Sequence, residues 1–464
     1  MPGNIVIVGA GEVGRSVARR LSSDGFNIWL VENNPASAEA AGEELDAVII
    51  RGNGARPQVL AQAGIVPGGS VDMLIACTNR DEVNMLSCWI AHSAGVPQVI
   101  ARARSLEFTD TLDWGRKLGI DAMISPERSI AREITGLIEV RGATHTAELL
   151  GGRAALYTLR IAQNSPLDGV MLKDLRTKFP DLMAVLVYVE HDGGTSGVPN
   201  GATVLHSGDV CWAVTYKKSL ARMQELFQPG STAMRDEGKI FIVGGGKLGT
   251  QIALMIKRDF SGMSLRIIDS DRQRCERLSE QFGEYLVLNT DGADSRTLAE
   301  EGIDGAEAYI CATDSDEINI IYSAMARKMG AKKSIAVARR RDYQALSEII
   351  PVDAIVDPNI SLANVILRYV RYKDHASAYS MIEKIGAEML EAVLSPEVPL
   401  CGRTLAQIKL RKGAVVALIG RGNDVLLPTG ATELLPGDHV ILFALTEIMP
   451  AAAVLFGASY SHEG

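Results

Sequence analysis

The chain of 464 residues carries one structural plan twice. The segment IVIVGAGEVG (Ile5 to Gly14) recurs 235 positions later as IFIVGGGKLG (Ile240 to Gly249). Further segments keep their order in both halves: NIWLVE matches LRIID, ACTNRDEVN matches CATDSDEIN, and PNGATVLHSGDV matches PTGATELLPGDH. Self-similarity over such a long period predicts two copies of one folding unit, each larger than a single supersecondary motif.

Each copy begins with apolar runs separated by amphipathic stretches. In the first copy these runs predict strands near residues 4–8, 27–32, 47–50, 71–77 and 98–102. The alternation of strands and helices predicts an α/β fold with a Rossmann-like, doubly wound parallel sheet. The tail of the copy instead holds AALYTLRI, LMAVLVYVE and VCWAVT between turn residues, which predicts a small α+β lobe with an antiparallel sheet.

The predicted domains follow directly from the duplication. Residues 1–140 and 239–371 form the two Rossmann-like units, and residues 141–228 and 372–460 form the two lobes. The polar segment QPGSTAMRDEGK carries Pro, Gly and Ser, which predicts a linker at 229–238.

Composition narrows the class of function. The 47 Lys and Arg residues against 56 Asp and Glu give a net charge of −9, which disfavours nucleic acid as a partner. The six cysteines lie far apart without a CxxC pair, which predicts reduced thiols in a cytoplasmic protein. No apolar stretch approaches the roughly 20 residues that span a bilayer, so any membrane association is predicted to be peripheral.

The repeated GxGxxG motif follows an apolar strand in both copies, which is the context of a dinucleotide-binding turn. Gly9 permits the tight turn, Gly11 lets the backbone approach a pyrophosphate, and Gly14 lets the next helix pack closely. The exposed N–H groups of that helix suit anionic oxygen. A βα turn without any ligand is the alternative. The candidate residues of the two loops are Gly9, Ala10, Gly11, Glu12, Val13 and Gly14, and Gly244, Gly245, Gly246, Lys247, Leu248 and Gly249.

The two loops differ in charge, because Lys247 replaces Glu12. The two pockets therefore need not prefer the same anion. An acidic residue stands at the end of the second strand in both copies, Glu32 in the first and Asp269 in the second. A carboxylate there accepts hydrogen bonds from ribose hydroxyls and repels a 2′-phosphate, which favours NAD(H) or an adenine mononucleotide.

Polar residues also follow the predicted fourth strand in both copies. In a doubly wound sheet this loop lies beside the loop after strand one, at the place where ligands bind. The alternative is a helix start, in which Asn79 and Asp314 cap the next helix with Glu82 and Glu317 as reciprocal partners. The candidates for the cleft are Thr78, Asn79, Thr313 and Asp314.

Strands five and three supply the remaining candidates. Arg102 ends strand five and can reach a phosphate or a neighbouring subunit, whereas its counterpart is Val337. Asn53 and Asp291 follow strand three, where they either contact an adenine edge or form a plain turn with the next glycine.

The sequence offers little for catalysis. The seven histidines show no paired spacing and none recurs between the halves, so no metal site is predicted. The motifs GxSxG, HExxH and GxxxxGK[ST] are missing from the sequence. Binding without catalysis fits better than an NAD-dependent oxidoreductase with an unidentified substrate, which remains the alternative. A redox-sensing repressor would need a basic helix-turn-helix, and neither terminus offers one.

The ordered set IVGAGEVG, VE, RGNGA, ACTNRDEVN, IARAR and PNGATVLHSGDV resembles the RCK, or KTN, family of potassium-transport regulators. The resemblance covers nearly the whole chain. It implies two tandem modules, each a Rossmann-like nucleotide unit followed by an RCK-C lobe, in a protein that is not an enzyme. It also implies NAD(H) and ATP/ADP as ligands, bound by the residues of the two glycine loops, the strand-two acids, the strand-four loops and Arg102.

The same resemblance implies the partners. The family's tandem proteins form a cytoplasmic ring of eight modules, so a homo-tetramer is expected here. The ring docks at the inner face of the cell membrane on an integral membrane Trk potassium channel subunit. Nucleotide exchange is then expected to alter the ring and thereby the channel gate.

Overall fold

The computed structural model of the chain describes residues 3–104, 114–230, 237–340, 343, 349–372 and 376–458. The predicted linker at 229–238 falls largely on residues 231–236, which lie outside the described part. No helix within these ranges is both long and apolar enough to pass through a bilayer.

The first copy opens with a six-stranded parallel sheet. Its strands are β1 (Asn4–Val8), β2 (Asn27–Glu32), β3 (Val48–Arg51), β4 (Met73–Ala76), β5 (Gln98–Arg102) and β6 (Ala122–Ile124). Its helices are α1 (Glu12–Ser23), α2 (Pro35–Glu44), α3 (Pro57–Gln62), α4 (Asp81–Ser93) and α5 (Trp114–Lys117), followed by α6 (Pro126–Glu139). The strand order β3-β2-β1-β4-β5-β6 places the loops after β1 and β4 side by side. The apolar runs of β1 and β4 are buried, as expected of strands covered on both faces.

The first lobe is an antiparallel sheet with strand order β10-β9-β11-β8-β7. These strands are β7 (His145–Leu149), β8 (Ala154–Arg160), β9 (Ala184–Glu190), β10 (Ser196–Gly197) and β11 (Val210–Tyr216). Two helices accompany them, α7 (Leu172–Lys178) and α8 (Leu220–Phe227). Three of the strands match the predicted runs, whereas β7 and β10 were not predicted.

The second copy repeats both parts. Its parallel sheet consists of β12 (Gly238–Val243), β13 (Met263–Asp269), β14 (Leu286–Asn289), β15 (Ala308–Cys311), β16 (Ser334–Val337) and β17 (Ala354–Val356). Its helices are α9 (Lys247–Asp259), α10 (Arg272–Gln281), α11 (Ser295–Glu300), α12 (Asp316–Lys328) and α13 (Pro358–Tyr372). The strand order β14-β13-β12-β15-β16-β17 is that of the first copy.

The second lobe has the topology of the first, with strand order β18-β19-β22-β20-β21. It contains β18 (Ala376–Ile382), β19 (Ala387–Val393), β20 (Ala414–Arg421), β21 (Asp424–Leu426), β22 (His439–Leu445) and α14 (Met449–Leu455). The two lobes share one buried apolar cluster, in which Tyr188 packs edge-on against Trp212 and also contacts Phe443. The predicted fold class, two Rossmann-like sheets each followed by an α+β lobe, is therefore confirmed.

The chain divides into two compact units that do not follow the duplication. The first unit contains Met1–Ser129 together with Pro358–Lys373, so α13 of the second copy packs on α1 of the first copy. The second unit contains Ile130–Asp357 and Asp374–Tyr460. Most of α6 belongs to this second unit, where Ile134 and Leu137 lie in the same buried cluster as Ile240.

Candidate functional site

The first glycine loop is a tight turn at the carboxyl end of β1. Gly9 adopts a φ of 108°, in the left-handed region that favours glycine. Its N–H donates to the carbonyl of Val31 over 2.8 Å, which holds the turn against β2. A Cβ on Gly14 would lie 1.9 Å from the carbonyl oxygen of Gly9, so only glycine lets α1 pack this closely on the turn. Gly9 and Gly14 thus have the predicted structural roles.

The N-terminus of α1 is open to solvent at Gly11. Gly11 is the N-cap residue, and no side chain in the described part of the chain caps the helix. A Cβ on Gly11 would meet nothing within 4 Å, so free space lies directly in front of the helix N–H groups. Unsatisfied N–H groups at a helix start form a binding place for anionic oxygen.

The second loop repeats this geometry. Gly244 has a φ of 98°, and a Cβ on Gly249 would lie 1.8 Å from its carbonyl oxygen. Gly246 is the N-cap of α9, and none of the described side chains caps that helix either. A Cβ on Gly246 would again meet nothing within 4 Å. Both copies therefore present an open helix N-terminus of the same construction.

The acidic residue at the end of β2 binds the glycine loop itself. The Glu32 carboxylate accepts the N–H of Ala10 on Oε2 over 2.6 Å and the N–H of Asn34 on Oε1 over 2.7 Å. These contacts place the carboxylate beside the turn and the start of α2. The predicted contact between Glu32 and a ribose remains a prediction.

Asp269 has the same place in the second copy but an additional partner. Its Oδ2 accepts the N–H of Gly245 over 2.7 Å and its Oδ1 the N–H of Asp271 over 2.8 Å. The guanidinium of Arg274 also donates to Oδ2 over 2.9 Å. Burial raises the pKa of this carboxyl, but the hydrogen bonds outweigh burial and the pKa lies below its ordinary value. Asp269 is therefore a buried, paired anion, and sequence reasoning missed its arginine.

The loop after β4 is fixed by a residue that sequence reasoning also missed. The fully buried Asn84 accepts both the N–H and the hydroxyl of Thr78 on Oδ1, over 2.9 and 2.7 Å. Its amide donates to the carbonyls of Thr78 and Arg102, which ties the ends of β4 and β5 together. Because the amide of Asn84 satisfies Thr78, the threonine is held in place beside the glycine turn.

Asn319 makes the same set of contacts in the second copy. Its Oδ1 accepts the N–H and the hydroxyl of Thr313 over 2.9 and 2.6 Å. Its amide donates to the carbonyls of Thr313 and Val337. The signal was available in the sequence, since ACTNRDEVN and CATDSDEIN both end in this asparagine.

The predicted helix caps of this loop are wrong. Helix α4 has Arg80 as its N-cap residue, and α12 has Ser315, whose hydroxyl accepts the N–H of Ile318. Asn79 and Asp314 therefore lie one residue before the N-cap in each copy. The physical reason is a turn at the preceding threonine, because the hydroxyls of Thr78 and Thr313 accept the N–H of Arg80 and Ser315, so that each helix begins one residue later.

The remaining candidates are Asn53 and Asp291, which follow the third strand of each sheet, and Arg102, which ends β5. The side chains of Asn53 and Asp291 accept the N–H two residues later, each over 2.9 Å, which is the turn role. Their contact with an adenine stays a prediction. Arg102 is half-buried, and its Nε is a buried donor without a hydrogen-bond partner among the described residues. Burial lowers the pKa of Arg102, while the nearby Cys77 and Glu127 act in the opposite direction.

Nothing in the described part of the chain indicates a metal centre, since no cluster of three His, Cys, Asp or Glu residues could hold one there. Cys77 is buried under the first turn, and burial raises its pKa to about 12. Such a thiol is neither a nucleophile nor a ligand at neutral pH. The residues at each cleft instead fit an anionic ligand with hydroxyl groups. An open helix start, an acid, a positioned threonine and, in the first copy, an orphaned arginine donor meet there.

Two known domain families match the chain, each of them twice. A model of the TrkA-N domain matches residues 5–126 and 240–358, and a model of the TrkA-C domain matches residues 156–228 and 389–457. These ranges cover both parallel sheets and most of both lobes.

Curated relatives match over almost the full length. The chain is 31% identical over 459 residues to "Trk system potassium uptake protein TrkA homolog 2" of Methanosarcina mazei, covering 97% of this chain and 99% of that protein. It is 29% identical over 461 residues to the "Trk system potassium uptake protein TrkA" of Azorhizobium caulinodans, covering 98% and 99%.

Solved structures share the fold. "Crystal Structure of the GsuK RCK domain" has a TM-score of 0.61 at 21% identity, covering 99% of this chain and 96% of that chain. "GsuK channel bound to NAD" has a TM-score of 0.60 at 22% identity, covering 99% and 79%.

Proposed function

Because the chain belongs to the TrkA family of Trk system potassium uptake proteins, we propose that it gates a membrane potassium channel in response to NAD(H) and ATP/ADP. It does so as a cytoplasmic regulatory subunit at the inner face of the cell membrane. The relatives are named as potassium uptake proteins and not as oxidoreductases, which agrees with binding without catalysis.

The observation that carries this proposal is the pair of uncapped helix N-termini at Gly11 and Gly246. Each lies beside a carboxylate whose position at the end of the second strand suits a ribose. Phosphate oxygens accept the free N–H groups, and the ribose hydroxyls donate to the acid. The GsuK channel, whose structure was solved with NAD bound, has the same fold, which supports a nucleotide as the ligand.

The loop after β4 gives the site its second wall. Thr78 and Thr313 are each locked by a buried asparagine, so their backbones keep a fixed position beside the turn. The neighbouring residues Asn79 and Asp314 are exposed and neither serves as the N-cap of the following helix, so both can contact a ligand. Asp314 also forms an ion pair with Arg339 at 3.8 Å. In the first copy, Arg102, whose Nε has no hydrogen-bond partner among the described residues, supplies a further donor for a phosphate.

Self-association is part of the proposal, with a homo-tetramer as the assembly. Helix α4 exposes Leu86 and Trp89, one turn apart, and Trp89 is 49% exposed. Helix α12 exposes Ile318 and Ile321 with the same spacing, and Ile321 is 62% exposed. Leu86 and Ile321 occupy equivalent positions in the two copies. Exposed apolar residues on the same helix of both copies support contacts between modules of neighbouring chains. An integral Trk channel subunit is the proposed membrane partner.

Gating requires that the ligand bind two states of the assembly with different affinity. Nucleotides at helix starts near an interface between modules meet this condition, because closing or opening that interface changes the field at the phosphates. The chain needs no reaction at the nucleotide for this purpose.

The binding part is tested by Gly11→Asp and Gly246→Asp, made separately in the full chain. Each adds a carboxylate in front of one helix start, where there is room for it, so the fold is kept while an anion is repelled. Calorimetry with NADH and ATP is expected to show loss of one binding site in each variant. Ser16→Asp on α1 adds the same charge beyond the loop and is expected to leave binding intact. If neither nucleotide binds the unmodified chain, the proposal fails.

The transport part is tested by isolating the tagged chain from membranes in mild detergent with each nucleotide present. Co-purification of an integral potassium transporter is expected. Potassium uptake by cells that carry Gly11→Asp should lose its response to nucleotide supply while the protein remains at the membrane. Steady oxidation of NADH by the purified chain would instead support the oxidoreductase alternative.

A further inference from the structure

The two nucleotide sites differ at one position that bears directly on the ribose. Arg274 is the third residue of α10, and its counterpart on α2 is Ser37. Both lie five residues after the strand-end acid, and the N–H of each donates to the preceding N-cap side chain over 3.1 Å. The backbone therefore places the two side chains equivalently, and only the second site has a cation there.

The hydrogen bonds of the two acids show what this cation changes. An ionised carboxylate offers about four acceptor positions. Glu32 uses two of them for backbone N–H groups, which leaves two for the hydroxyl pair of a ribose. Asp269 uses three, because Arg274 donates in addition to the two N–H groups. A ribose with two free hydroxyls thus finds its full set of acceptors at the first site only.

The charges around Asp269 also favour a phosphate at the second site. The side chain of Asp269 is 5% exposed and that of Arg274 is 38% exposed, so the negative charge is covered and the positive charge faces outward. The remaining partner of Arg274 in the described chain is Asp271, at 3.9 Å, and Asp314 contributes only at longer range. The guanidinium therefore retains donors that a phosphate can use in a bidentate manner. The exposed Lys247 adds a second cation at this loop, where the first has Glu12.

Building on the proposed function, we propose that Arg274 makes the second site accept a nucleotide with a phosphate on its ribose, of which NADP(H) is the nearest example. The first site excludes such a ligand, because the carboxylate of Glu32, which has no cationic partner among the described residues, repels the 2′-phosphate. The rule that a strand-end acid selects against a ribose phosphate thus applies to one copy and not to the other. The first copy then responds to NAD(H) alone, and the second copy responds to both dinucleotides.

The test uses the full chain with one site blocked, so that Gly11→Asp leaves only the second site and Gly246→Asp only the first. Calorimetry with NADH and NADPH is expected to give similar affinities at the second site. The first site is expected to bind NADPH at least about tenfold more weakly than NADH. The reason is that Glu32 loses a hydrogen bond from the ribose hydroxyl and instead faces the negative charge of the 2′-phosphate. Circular dichroism checks that each variant is folded.

Two exchanges then assign the effect to the arginine. With the first site blocked, Arg274→Ser is expected to weaken NADPH about tenfold and to leave NADH unchanged or tighter. Ser37→Arg should produce the reverse change at the first site. Arg272→Ser is the matched control, because Arg272 lies two residues away on the same helix, is highly exposed and pairs only with Glu276 among the described residues.

The outcomes separate this inference from the function on which it rests. If NADH binds and NADPH is excluded from both sites, or if Arg274→Ser weakens both ligands equally, the inference is wrong and the proposed function stands. The same holds if the first site binds NADH while the second takes neither dinucleotide. If neither site binds any nucleotide, the proposed function itself fails.

Discussion

A buried lysine gives the second unit a stability that depends on pH. Lys333, just before β16, is 1% exposed, and its Nζ donates to the carbonyls of Val140 and Ala143 over 2.7 and 2.9 Å. Burial lowers the pKa of Lys333 to about 7, while Asp353 raises it and Arg327 lowers it further. These contacts attach the segment after α6 to the parallel sheet of the second copy.

The sign of the effect follows from the two end states. In the unfolded chain the ammonium keeps its ordinary pKa near 10.5, so between pH 7 and pH 10.5 the unfolded state binds more protons than the folded state. The free energy of unfolding therefore rises with pH in this window. At 1.36 kcal/mol per pH unit, the gain from pH 7 to about 8.5 is at most about 2 kcal/mol. Unfolded thiols begin to titrate within this range as well, but they are common to the unmodified chain and to Lys333→Met, so the contribution of Lys333 is the difference between the two.

The assay is urea unfolding of the full chain and of Lys333→Met at both pH values. Trp212 is the one tryptophan of the second unit, so the other three of the four are first replaced by Phe to give a local signal. Lys333→Met should lack the rise of about 2 kcal/mol. Lys332→Met, which removes the partly exposed neighbour paired with Glu307, should lower stability without changing the pH dependence. Equal pH dependence in Lys333→Met and the unmodified chain would refute the reasoning.

Three further experiments, with five substitutions between them, test the structure. Asn319→Leu should destabilise the second unit by about 2–4 kcal/mol in urea unfolding, because it leaves the buried partners of this amide unpaired; an effect under 1 kcal/mol would contradict that role. Trp89→Glu and Ile321→Glu should each lower the assembly mass in light scattering at unchanged helix content, whereas an unchanged mass would place the interface elsewhere. Gly249→Ala should abolish nucleotide binding at the second loop, since its methyl would collide with the turn, whereas Gly246→Ala should be tolerated.

The sequence predicted the parallel sheets well because their strands are buried on both faces. Continuous apolar runs such as Ile5 to Val8 admit few other interpretations once a turn and an amphipathic helix follow. Strand β7 was missed because its sequence has no continuous apolar run. Its sequence HTAEL holds only three apolar or small residues, and it becomes a strand by pairing with β8.

Sequence analysis predicted the parts of the candidate site that depend on neighbouring residues in the chain. It missed the parts that depend on contacts between different strands of the sheet. The turn at Gly9 and the helix start at Gly11 follow from neighbouring residues alone. The role of Asn84 depends on the end of β5, eighteen residues away, and a local rule assigned the loop to helix capping instead. Arg274 was overlooked because the dinucleotide-binding pattern consists of the glycine motif and the strand-end acid, and Arg274 lies five residues after that acid.

Helices α6 and α13 have a consequence for how the chain is made. The first unit needs residues up to Lys373 before it is complete, since α13 covers α1. During synthesis α1 therefore emerges without this cover, and it stays uncovered until more than 200 further residues have left the ribosome. A gene cut between the two copies would yield a first half without α13 and a second half without α6, the helix that each unit takes from the other copy. The fused gene supplies both helices within every molecule.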